Sequence, residues 1–122
     1  MRLIYGRFSA LLTGDLERAA EREIADSHAS LRSCLLKVAH HGSRWATQRP
    51  LLERVRPRWA VISVGRNNPF GHPSPEVLAR LLRHGVLPIL TPDHGAVTFA
   101  TDGFRYVLDS HVGGILESGL LP

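Results

Sequence analysis

Cysteine is all but missing from this sequence. Cys34 is the only one among 122 residues, which excludes an internal disulfide and any cysteine-built zinc site. Flanked by Leu35 and Leu36, it reads as a small buried side chain. Long apolar runs are missing too. The longest clean one, Trp59–Val64, falls far short of the ~20 residues that span a bilayer. No basic start followed by an apolar stretch marks a secretion signal; Met1-Arg2 leads straight into a strand-like run, so the chain as written is expected to be soluble. Nothing repeats internally, and no segment is low-complexity. Acids are scarce in one region: residues 32–66 hold eight basic side chains (Arg32, Lys37, Arg44, Arg49, Arg54, Arg56, Arg58, Arg66) against Glu53 alone. Residues 15–26 are mostly acidic instead.

With 43% hydrophobic and 21% charged residues, the remainder is ordinary globular material. The length suits one domain or a piece of one. The net charge of +4 and the basic stretch favour an anionic partner such as phosphate or a nucleic-acid backbone. A solvated arginine-rich surface is the alternative.

Hydrophobic periodicity gives the order β-β-α-β-α-β-α-β-β-β, an α/β arrangement with an antiparallel hairpin at each end of the sheet. Arg2–Tyr5 and Phe8–Leu12 form a hairpin across Gly6-Arg7. A helix is predicted over Leu16–Asp26, capped by Thr13 or Asp15, with Leu16, Ala19, Ala20 and Ile24 on its apolar face. Strands are predicted at Leu35–Ala39, Trp59–Val64, Val86–Leu90, Ala96–Ala100 and Phe104–Leu108. A short helix, Leu51–Val55, follows Pro50. A second starts at Ser74-Pro75-Glu76, uses Val77, Leu78, Leu81 and Leu82 as its apolar face and stops at Gly85. Residues 1–108 are read as the domain and 109–122 as an irregular C-terminal tail.

The chemistry sits where strands stop. Strands joined through helices return in parallel, so their carboxyl ends share one edge, the edge at which open α/β sheets bind ligands. Thr13-Gly14-Asp15, His40-His41-Gly42-Ser43 and Arg66–His72 each follow such a strand. Asp15 is a candidate metal ligand through its two oxygens, with a helix cap as the plainer role. Of His40 and His41, one can ligate a metal while the other orients substrate or makes a supporting contact. Solvated loop histidines are the alternative. Ser43, Arg66, Asn67 and His72 are candidates for holding substrate oxygens. His28, His84, His94 and His111 read as surface or packing histidines.

Three strings, Leu11-Leu12-Thr13-Gly14-Asp15, Leu36-Lys37-Val38-Ala39-His40-His41-Gly42-Ser43 and Ser63-Val64-Gly65-Arg66-Asn67-Asn68-Pro69-Phe70-Gly71-His72-Pro73, together carry a resemblance. In order and spacing, from about Arg2 to Leu108, the chain resembles the C-terminal metallo-β-lactamase-fold domain of ComEC-type competence proteins, inner-membrane channels for DNA uptake. The resemblance implies the C-terminal half of an αββα four-layer metal-dependent hydrolase, a DNA-processing phosphodiesterase or nuclease using two divalent ions, zinc or manganese. It implies Asp15 as a metal-bridging carboxylate, His40-His41 as the motif carrying a histidine ligand, with His41 the favoured one, and the Arg66–His72 loop as a contact for the DNA backbone.

The family's H-x-H-x-D-H motif is absent here. Asp93-His94 follows Ile89 and Thr91 where that motif has histidines, and Asp109-Ser110-His111 has the wrong spacing. The chain alone is therefore expected to be catalytically inefficient, with the N-terminal half of the domain as a partner. Half of a layered fold is also expected to leave apolar surface that associates. A non-catalytic nucleic-acid-binding module and a metallohydrolase acting on another phosphoester are the alternatives.

Overall fold

The computed structural model describes residues 1–122 as two sheets and four helices. Strands β1 (Arg2–Tyr5), β2 (Phe8–Leu12), β3 (Leu35–Lys37), β4 (Trp59–Ile62) and β5 (Leu87–Leu90) form one five-stranded sheet in sequential order. β1 pairs antiparallel with β2, while β2, β3, β4 and β5 run parallel. The parallel connections carry helices α1 (Arg18–Asp26), α2 (Arg49–Val55) and α3 (Pro75–Arg83). A short helix, α4 (Thr91–His94), leads to a separate antiparallel sheet of β6 (Val97–Thr101), β7 (Arg105–Ser110) and β8 (Gly114–Leu120). No helix is long and apolar enough to cross a membrane.

Strand alternation makes two cores. Leu11, Leu36, Ala60 and Ile62 face the helices and pack with Leu51, Leu52, Val55 and Leu81. Their neighbours Phe8, Ala10 and Trp59 face the other way and pack with Tyr106 and Leu108 of β7. Because successive strand residues point to opposite faces, these apolar runs bury both sides of the main sheet. The layers are helices, parallel sheet and antiparallel sheet. The mixed α/β class matches the reading from sequence, whereas the second hairpin builds its own sheet instead of extending the first. Residues 109–122 are not an irregular tail: they complete β7 and supply β8. Glu117 of β8 ties that strand inward, accepting hydrogen bonds from Trp59 Nε1 at 2.9 Å and Tyr106 Oη at 2.7 Å and pairing with Arg58.

Two local expectations are corrected. α1 begins at Arg18, and neither Thr13 nor Asp15 caps it; Glu17 occupies the cap position without a side-chain bond. Thr13 instead donates its hydroxyl to the Lys37 carbonyl at 2.5 Å, stapling β2 to β3. Helix α1 is also rotated from the expected face, leaving Ala19 exposed and burying Glu21. The cause lies at the entry to α2, where the backbone N–H groups of Thr47 and Gln48, just ahead of its first residue, both donate to the Glu21 carboxylate, at 2.5 and 2.8 Å. For α3, Ser74 caps as expected, accepting from the Val77 backbone N–H, and Leu82 lies 61% exposed instead of packed.

The hairpin turns also meet. Gly6 has φ +57°, and a Cβ there would lie 2.7 Å from the Gly103 carbonyl oxygen. Only glycine lets the β1–β2 turn approach the β6–β7 turn this closely.

Candidate functional site

Three loops leave the carboxyl ends of β2, β3 and β4 and are laced together by backbone. The His40 N–H donates to Gly14 O at 3.2 Å, and the Ser74 N–H donates to Gly42 O at 2.8 Å. A Cβ on Gly42 would meet Pro73 at 2.8 Å, so glycine is required where the second loop touches the third. The shared rim expected from topology is therefore formed.

The paired histidines sit in an uncommon backbone. Ala39–Gly42 is a tight turn in which His40 and His41 are left-handed, with φ 47° and 54°, followed by Gly42 at φ +81°. Left-handed conformations cost non-glycine residues about 1–3 kcal/mol each and persist where surrounding contacts enforce them. Here the contact is visible. His41 Nδ1 lies 2.7 Å from Ser63 O. A carbonyl only accepts, so Nδ1 carries the proton, and the lone pair of the neutral ring is left on Nε2. A backbone carbonyl holding one ring nitrogen while the other stays free is the arrangement that orients metal-ligating histidines.

His40 points to a different place. Its ring stands 6.3 Å, centroid to centroid, from that of His72, and the His72 ring stacks on Phe70 at 6.0 Å. His72 Nδ1 is buried without a hydrogen-bond partner. His40, His72 and Ser43 line a cleft of about 330 Å³ with Leu16, Glu17, Arg18 and Trp45. Ser43 and His72 also line the adjoining depression with Arg44, Trp45 and Phe70. Asp15, His41, Arg66 and Asn67 border neither. Asp15 is exposed beside Lys37, whose ammonium burial pushes below the ordinary lysine range while the Asp15 charge pulls it back up. Arg66 donates to Pro92 O at 2.7 Å. Asn68, and not Asn67, holds the third loop together, donating to Gly65 O and His72 O and accepting from the His72 N–H.

The donor set falls short of a complete metal centre. No three histidine, cysteine or acidic side chains gather closely enough to hold one ion. Asp15 and His41 are donors without companions in this chain.

Three residues of the cleft and the depression beside it carry no candidate role in the sequence reading. Trp45 is 57% exposed and Phe70 77% exposed, large aromatics standing free on a polar rim. Arg18 stacks over the Trp45 ring at 5.3 Å. Arg80 of α3 fixes the Trp45 segment by donating to Ala46 O at 2.7 Å and Arg44 O at 3.1 Å. The available signal was two aromatics inside otherwise polar loops, each one to three residues from a candidate site residue.

No family model and no solved structure matches the chain. Curated proteins do. ComE operon protein 3 of Bacillus subtilis is 36% identical over 94 residues, covering 77% of this chain and 12% of that protein. Competence protein ComA of Neisseria gonorrhoeae is 33% identical over 100 residues, covering 81% and 14%. Recombination protein 2 of Haemophilus influenzae is 43% identical over 79 residues, covering 65% and 10%. The chain thus matches only a small part of the length of each relative.

Proposed function

From the premise that this chain is related to one segment of the competence proteins, we propose that it is part of a DNA-processing metal-dependent hydrolase domain, the part that presents a phosphodiester-handling rim. The observation that carries the reading is the lacing of three loops at one sheet edge, which sets His40 beside His72 and orients His41 through Ser63. The relatives named for competence support a setting in DNA uptake, and this reading takes the parent protein to be membrane-associated.

In this reading Asp15 and His41 are the chain's donors to a metal centre that residues outside the chain complete, with the metallo-β-lactamase-like four-layer domain as the whole. Bound ions would supply an activated water and neutralise phosphodiester oxygens. The chain's own groups do the rest. Ser43, Arg66 and Asn67 offer donors to phosphate oxygens, and His72 faces the cleft from beneath Phe70. Lys37, whose ammonium donates to Val38 O at 3.1 Å, adds a positive charge near Asp15 at the same rim.

A second reading, a nucleic-acid-binding module without catalysis, is favoured by a specific observation: the cleft and the depression beside it carry exposed Trp45 and Phe70 with Arg18, a lining suited to stacking bases.

A nuclease assay with manganese or zinc separates the two. The chain alone is expected to cleave DNA inefficiently. Supplied with a polypeptide carrying the H-x-H-x-D-H histidines, it is expected to cleave, and Asp15→Ala or His41→Ala should each lower that cleavage by about 100-fold. Metal-dependent cleavage that survives both substitutions would overturn the site assignment. Metal-independent, salt-sensitive binding with no cleavage in any combination would favour the second reading.

A further inference from the structure

We propose that the opposite end of the main sheet carries a pocket for a phosphate group, built from Arg2, Arg7, Arg32, Arg56 and Arg58. These residues come from β1, the β1–β2 turn, the approach to β3 and the approach to β4, so only the fold assembles them. They surround a depression of about 380 Å³ that no aspartate or glutamate lines. It lies where β3 and β4 begin, whereas the rim of Asp15, His40 and His72 lies where the strands end. The basic stretch of the sequence is therefore split: Arg44 and Arg66 stay at the rim, and Arg32, Arg56 and Arg58 face away from it.

The guanidinium groups are positioned, and part of their donor capacity is free. Arg2 donates to Arg32 O at 2.7 Å and to Ser33 Oγ at 3.4 Å. Arg56 donates through Nε to Glu53 O at 3.1 Å, leaving its terminal nitrogens open. Arg58 is held against the Trp59 ring, 4.8 Å from its centroid, and is the one arginine of the five with a carboxylate partner, Glu117. Arg7 lies over Phe104 at 5.9 Å. Neither Arg7 nor Arg32 donates a side-chain hydrogen bond or forms an ion pair, and the Ser30 hydroxyl on the same wall is also unused. Four of these five guanidinium groups have no acidic side-chain partner; such like charges repel one another, and a bound multivalent anion relieves that repulsion. Arginine forks match phosphate oxygens two at a time, and several forks around one depression suit a tetrahedral oxyanion better than a planar carboxylate.

The phosphate has two possible sources, a nucleic-acid backbone or free phosphate. The inference stands apart from the rim and from any metal, and it shares with the proposed function only the choice of DNA as a probe. Two titrations decide it, each at constant ionic strength against chloride. In the first, inorganic phosphate is titrated while backbone amides are followed by NMR. Saturable shifts are expected at Ser30, Arg32 and Arg7, lost in Arg7→Ala/Arg32→Ala and kept in Arg22→Ala/Arg83→Ala, a control of equal charge loss. Arg7 and Arg32 anchor nothing by hydrogen bond or ion pair, so the double variant should keep the wild-type unfolding midpoint. Ser30→Asp, which adds a carboxylate to the wall, should abolish the shifts independently.

In the second, a labelled single-stranded oligonucleotide is bound at graded salt. If DNA is the source, the double variant lowers the slope of log affinity against log salt by about 1.4, the loss of two phosphate contacts. An unchanged slope with phosphate binding retained by the wild type identifies free phosphate. Should the double variant and Ser30→Asp both match the control in both titrations, the pocket does not exist. Rim variants such as Asp15→Ala leave the phosphate titration unchanged, so failure here and failure of the proposed function are distinguishable.

Discussion

His40 and His41 occupy backbone that most residues avoid, at φ 47° and 54°, and this sets a prediction at the scale of single residues. Glycine adopts that conformation without the Cβ clash. His41→Gly should therefore be more stable than His41→Ala by about 1 kcal/mol in chemical denaturation, and the same order should hold at His40. An alanine variant as stable as the glycine variant would mean that the turn relaxes in solution. The histidine pair itself was legible in the string, because two imidazoles at a strand end have little packing purpose. Their division of labour was not. It depends on the Ser63 carbonyl, contributed by a segment 22 residues away, and on a left-handed turn that no local propensity requires. Asn67 shows the same limit: it reads as a donor to substrate, and only the fold reveals that its neighbour Asn68 is spent on closing the loop they share.

Among the elements, α1 and α2 depend on one buried carboxylate. Glu21 accepts the backbone N–H groups of Thr47 and Gln48, capping α2 from a neighbouring helix. Glu21→Ala strands one buried and one half-buried donor and should cost about 2–4 kcal/mol. Burial pushes the Glu21 carboxyl above the usual carboxylate range, and the two N–H bonds and the Arg80 charge pull it back only in part. A carboxyl raised in the folded state binds its proton more tightly there than in the unfolded chain. Its contribution to stability therefore grows as pH falls from neutrality through the raised folded value, and it levels off below the ordinary value. Unfolding free energies of wild type and Glu21→Gln should diverge in that direction between pH 7 and pH 4, the wild type gaining; a constant difference would contradict the assignment. Sequence periodicity located α1 and named its apolar residues, yet a pattern of alanines fixes rotation weakly. The distant capping bond decides which face turns inward. For α3 the local signals, Ser74, Pro75 and the leucine spacing, suffice for its bounds.

At the scale of the whole molecule, the parallel sheet and its rim were legible because strand–helix–strand units have one handedness and one direction. The second sheet was not. Its last strand, β8, carries two glycines, Gly114 and Gly119, and alternates poorly; its pairing with β7 and the bonds of Glu117 to Trp59 and Tyr106 explain why it docks. The assembled layers leave apolar side chains outside, Ile4 on edge strand β1 at 61% exposure and Ile115 on edge strand β8 at 67%. Such edges invite pairing, so sedimentation should find concentration-dependent association that Ile4→Lys and Ile115→Lys reduce; a monomer at all concentrations would argue that these edges are covered in solution. The rim is the centre of the account. Ions of the magnesium type are often held by one or two protein oxygens plus substrate phosphates, so the most direct measurement is DNA affinity by fluorescence anisotropy with and without manganese. With a polypeptide carrying the H-x-H-x-D-H histidines supplied, manganese is expected to tighten binding by about 10-fold, the order lost when one supporting group of a metal site is removed, and Asp15→Ala and His41→Ala are each expected to abolish the gain. Binding indifferent to manganese, or a manganese gain that both variants retain, would contradict it.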